Sequence, residues 1–201
     1  MKRLKVGWVL IAPLLLLACG GPAPDTEPAP GPTQAAAAAG TGPALTAAEA
    51  QPLLEAAVKD RAAEALATPP PGGPSLDEAN SSDKFKATRE REKLMVAERK
   101  ARFQSHGFRY TSTATTVQVM DVTGTATKAA VRFDEFGTLN QASDTTGPSE
   151  VPEQYRVHET ATFLRTGLGW VLDEVLPEAG QFGLPMSMVD PRLPSGSEAP
   201  R

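Results

Sequence analysis

At Gly107 the spacing of apolar residues in this chain changes from helical to alternating, and that switch fixes the fold class. Upstream, Phe85, Thr88, Met95, Val96 and Phe103 fall on one face at about 100° per residue, with Glu92 and Arg99 beside them. Asp83 or Ser82 can cap this helix, over 82–106, and Gly107 stands where a left-handed residue ends one. Downstream, Phe108, Tyr110, Val117, Val119 and Val122 lie in a Thr-rich, β-branched run that reaches a turn at Thr123-Gly124-Thr125. Ala129, Val131 and Phe133 then share a face, as expected for a hairpin covered on one side. Tyr155, Val157, Ala161 and Phe163 repeat the alternation, a turn follows at Thr166-Gly167-Leu168-Gly169, and Trp170, Leu172 and Val175 run on to Pro177. Helices followed by antiparallel strands predict an α+β domain, its N-terminal helices packed on a curved antiparallel sheet.

Proline and glycine punctuate the rest. Residues 45–67 form the first helical candidate, with Leu54, Val58, Ala62, Ala65 and Leu66 at helical spacing. Two starts are compatible with it: a capping box at Thr46-Ala47-Ala48-Glu49, or Gln51 with Pro52 at the first helical position. The run Pro69-Pro70-Pro71-Gly72-Gly73-Pro74 ends it. Residues 20–43 hold six Pro, five Gly and seven Ala, a composition that cannot bury enough apolar surface to fold. The polar stretch with Gly137, Asn140, Gly147, Pro148 and Pro152 is long for a hairpin loop, so it is either partly disordered or a rim of functional interest. Residues 178–201 return to Pro, Gly and Ser and read as a loose tail. The expected organisation is 1–18 signal peptide, 19–44 disordered tether, 45–74 helix and Pro-rich linker, 75–177 α+β domain and 178–201 disordered tail.

The N-terminus carries an address. Lys2, Arg3 and Lys5 precede an apolar run from Val6 to Leu17, and Leu16-Leu17-Ala18-Cys19 ends it. A spanning helix needs about 20 apolar residues. This run is shorter, contains Pro13 and meets Gly20-Gly21-Pro22 at once. Basic, apolar and small-residue zones in that order make a secretory signal. The motif resembles the lipobox of bacterial lipoproteins, which implies cleavage between Ala18 and Cys19, lipidation of Cys19 and residence on the extracytoplasmic face of the cell membrane. On that reading residues 20–43 lift the domain off the bilayer, and the lipid anchor makes the membrane the first partner.

Charge and motif content exclude several classes. Without residues 1–18 the chain has 17 Lys+Arg against 24 Asp+Glu, which argues against nucleic acid. The helix over 82–106 is nevertheless basic, with eight Lys/Arg against four Asp/Glu between Asp83 and Arg102. Its pairs Lys86/Glu90 and Glu98/Arg102 at i,i+4 suit a solvated face, and contact with an anionic surface is the alternative. His106 and His158 alone, with one Cys, make no recognisable metal site, and no cofactor motif, Gly-x-Ser-x-Gly elbow or Walker loop is present.

The segment Tyr155-x-x-His158-x-x-x-x-Phe163-x-Arg165, a Gly turn and Gly169-Trp170-x-Leu172 resembles the closing hairpin of nuclear-transport-factor-2-like, cystatin-like cone domains. More narrowly, residues 80–176 are similar to the N-terminal accessory segment of secreted actinobacterial proteins that carry an amidase-like domain. The resemblance implies the cone fold and no hydrolase activity. Tyr110, His158, Glu159 and Trp170 are the candidate pocket residues. Glu159 is in phase with Tyr155, Val157, Ala161 and Phe163, so it needs a partner such as Arg132 or Arg165, marks a pocket, or sits at a bulge. The expected function is non-catalytic binding of an envelope protein, wall component or small apolar ligand. The alternative is an isomerase- or hydratase-type enzyme using a pocket carboxylate.

Overall fold

A computed structural model describes residues 44–72, 74–181 and 183–192, all within the compact unit Ala38–Arg201. Ala18, Cys19 and the segments expected to be a signal and a tether, to residue 43, lie outside the described residues. Helix α1 spans Ala47–Glu64 and helix α2 Asp83–Ser105, with a short 3-10 turn at Glu78–Asn80 between them. Thr46 caps α1 through a complete capping box, which decides between the two possible starts. Pro52 is therefore inside the helix, where it removes one hydrogen bond; its ring faces solvent. Ser82 caps α2 by accepting from the Phe85 N–H. Gly107 follows α2 at φ +79°, the left-handed geometry that glycine adopts without a Cβ clash.

The sheet contains β1 (Phe108–Gly124), β2 (Lys128–Ser143), β3 (Gly147–Pro148), β4 (Glu153–Thr166) and β5 (Gly169–Pro177). Its order is β1-β2-β4-β5, with β3 on β2, and every pairing is antiparallel. One face is covered: Val131, Phe133, Ala161, Phe163, Trp170 and Leu172 meet Leu54, Ala57 and Val58 of α1 and Phe85 of α2 in the main core. A second cluster joins Ala65, Leu66, Tyr110 and Leu139, with Phe103 stacked on Tyr110 at 5.0 Å. Helix α1 follows the outer edge of β1. The Gln51 side-chain amide donates to the Val117 carbonyl, and the Ala67 N–H donates to the Tyr110 carbonyl. Sixteen residues of mostly helical chain advance about 24 Å and seven strand residues about 23 Å, so the two contacts fit a helix laid along the strand. At the far edge, the Ser82 N–H donates to the Leu172 carbonyl.

Two expectations change. The polar stretch after Phe133 is strand as far as Ser143, because Glu135, Gly137, Leu139 and their β4 partners Val157, Tyr155 and Glu153 continue the ladder. Residues 183–192 are not loose: Met188 and Val189 are buried, Arg99 donates to the Met188 carbonyl at 2.7 Å, and Arg192 donates to the Pro177 carbonyl. Period-free sequence hid this segment, which packs through single residues.

Gly137 shows why the extended β2 needs a glycine. The Tyr155 ring lies over it in register, and a Cβ there would overlap the ring. Gly137→Ala is therefore expected to cost about 1–3 kcal/mol through overpacking and a displaced Tyr155. Urea unfolding measures it, and a loss below about 0.5 kcal/mol would refute the packing account.

Candidate functional site

The polar centre of the domain is built from three elements. Arg61 belongs to the same helical stripe as Leu54, Val58 and Ala65, so α1 drives its guanidinium into the covered face of the sheet. Glu135 of β2 and Glu159 of β4 share the parity of Phe133 and Phe163, so their carboxyls point the same way. Arg61 Nη1 donates to Glu159 Oε1 at 2.9 Å, and Nη2 donates to Glu159 Oε2 at 2.8 Å and to Glu135 Oε2. The Tyr155 hydroxyl donates to Glu135 Oε1 at 2.8 Å. Both carboxylates are 0 % exposed and Arg61 is 7 % exposed.

Two acids around one base leave an unbalanced negative charge in a low-dielectric interior. Burial pushes the Glu159 carboxyl up to about 7, with Glu135 adding to the rise and Arg61 opposing it. Burial likewise works against the Arg61 charge, but the two glutamates outweigh it and hold the guanidinium protonated. The Tyr155 hydroxyl is raised by burial and then by the Glu135 charge, so it remains a donor. On α2, Glu92 is buried and paired with Arg89.

The four candidate pocket residues do not converge. Glu159 is at the centre just described. Tyr110 is buried in the second cluster, where its hydroxyl donates to Glu153. Tyr110 pairs with Gln141 and Glu159 with Phe133, eight residues apart along β2, or about 26 Å. His158 points to the opposite face, where its Nδ1 meets Asp134 beside Arg156. Burial alone would raise the Asp134 carboxyl, but hydrogen bonds from Arg156 and His158 outweigh it and hold it below the usual range. Trp170 is core, with the Arg165 guanidinium 5.5 Å above its ring.

The partner of Glu159 is neither Arg132, which pairs with Glu178, nor Arg165, which covers Trp170. Sequence reasoning missed Arg61 and left Glu135 out of the four pocket candidates, and both carried a signal. Arg61 interrupts an apolar helical stripe, and Glu135 extends the alternation Ala129, Val131, Phe133 by one step.

Space for a ligand lies outside this centre. An open groove of about 550 Å³ runs between α1, the Pro-rich linker and α2. Ala57, Ala63, Leu76 and Phe85 line its apolar part, and Lys59 and Lys86 are among its charges. The Asp60 carboxylate holds the linker by accepting from the Leu76 N–H at 2.8 Å and from the Ser75 N–H. Among the described residues no cluster of His, Cys, Asp or Glu is arranged to hold a metal ion, and no helix is long and apolar enough to cross a membrane.

No family model matches the chain, and no curated protein matches it. Among solved structures, the crystal structure of the intermembrane space region of the chloroplast protein ARC6 aligns over 67% of this chain and 98% of that one. The identity is 14% and the TM-score 0.36, too low for the likeness to support any argument about fold or function.

Proposed function

We propose that the chain is a lipid-anchored cell-envelope protein whose α+β domain binds a partner without catalysis. The observation that carries the non-catalytic half is the occupancy of Glu159. Both its oxygens accept from Arg61, and the residue is fully buried. A carboxylate titrating near 7 suits general-base chemistry in principle. A base must also reach a substrate proton, and this one is 0 % exposed with both oxygens engaged by Arg61 of α1. The groove along the linker is the ligand-sized concavity that supports the binding half, since small-molecule sites run to about 300–1,000 Å³. The anchor rests on the Cys19 motif, with the segment 20–43 as spacer.

Both halves have a direct test in cells. Labelled palmitate is expected to enter the wild-type chain and not Cys19→Ser; label in the variant overturns the anchor. A photocrosslinking residue at Lys86 is expected to give a discrete adduct. The same residue at Gln118, exposed on the opposite face of the sheet, should give none. Equal adducts from both positions, or none from Lys86, would overturn the groove as the binding place.

A further inference from the structure

The Arg61 guanidinium is not fully satisfied by the glutamates. Both terminal nitrogens are engaged, but Nε is buried and has no hydrogen-bond partner among the described residues. An unmade hydrogen bond at a buried polar group is costly, and in native proteins such groups usually have an ordered partner. Beside Arg61 is a small cavity of about 20 Å³. Phe85, Phe133, Val175, Thr88 and Glu92 also line it. Glu92 Oε2 accepts from Arg89.

We infer that this cavity is a binding site for one ordered water, which accepts from Arg61 Nε and donates to the Glu92 carboxylate. The cavity is large enough to admit a water. The chemistry selects the occupant as well. A small anion would face Glu92 and a small cation would face Arg61. An apolar guest would leave both groups unpaired, whereas water accepts from one and donates to the other. The water completes a polar network joining α1, α2, β2 and β4, and it ties α2 to the buried centre by more than apolar contact.

A crystal structure of the protein that resolves ordered solvent tests the site directly. The expected result is one peak within about 3.2 Å of Arg61 Nε and in reach of Glu92. A dry cavity, or an Nε bonded directly to a side chain, overturns the inference. Magnetic relaxation dispersion of water gives an independent count of long-lived molecules. Glu92→Met is expected to lose one relative to the wild type, and an unchanged count refutes the assignment. If that variant fails to fold, the wild-type peak alone decides.

Discussion

Arg61→Met is expected to destabilise the domain by about 3–5 kcal/mol, the usual cost of breaking a buried ion pair by removing one partner. The substitution leaves Glu135 and Glu159 facing each other, both fully buried and without their shared cation. A loss of that size is a large part of a typical stability of about 5–15 kcal/mol, so the variant should unfold at much lower urea. The cost belongs to the orphaned charges more than to the guanidinium itself. Adding Glu135→Gln and Glu159→Gln to Arg61→Met should therefore recover most of it, because neutral amides can bond each other and Tyr155. Urea titrations of the single and triple variants check both statements. A single-variant loss under about 1 kcal/mol would mean the cluster is hydrated and worth no more than a surface pair.

The second large effect is on pH. Glu159 titrates near 7 in the folded chain and at the ordinary 4.5 when unfolded. Between those values the native state holds a proton that the unfolded state has released, so native stability falls as pH rises. The contribution is fully present below about 4.5 and lost by the time pH passes 7, with a total on the order of a few kcal/mol. Asp134 acts in the opposite sense. Its carboxyl is held low in the fold, so its contribution is present above 3.8 and lost as pH falls through the lowered value. These two groups together therefore favour mild acid over neutrality. Unfolding free energies measured from pH 4 to 8 provide the check. Glu159→Gln should flatten the decline across that window, and a wild-type curve that rises from pH 5 to 7 would refute the assignment.

The sequence carried the architecture further than the site. The change of period at Gly107, the capping box at Thr46 and the glycine turn before Trp170 are local signals, and each corresponds to a helix end or turn in the structure. The alternation on β4 put Glu159 in phase with the covered face, and its full burial in unbroken register with Phe133 rules out the bulge or exposed strand end that the sequence also allowed. Its partner was not legible, because Arg61 is 98 residues away in sequence and reaches Glu159 only once α1 lies across the sheet. The strand beyond Glu135 was obscured by its neighbours. Gly137, Asn140 and the prolines beyond read as a loop, although Gly137 is a strand residue made small by Tyr155. His158 is out of phase with Glu159 in the sequence itself and lies on the opposite face, and core packing separates Trp170 from it.

Each border of the sheet is met by the chain's own backbone and amide groups, at Tyr110 and Val117 on one side and at Leu172 on the other. Beyond Val117 a bulge at Met120 interrupts the remaining free stretch of β1. Exposed strand borders are templates on which neighbouring molecules zip together. The contacts at Tyr110, Val117 and Leu172, with the bulge at Met120, divide those borders into shorter stretches on which another strand could pair.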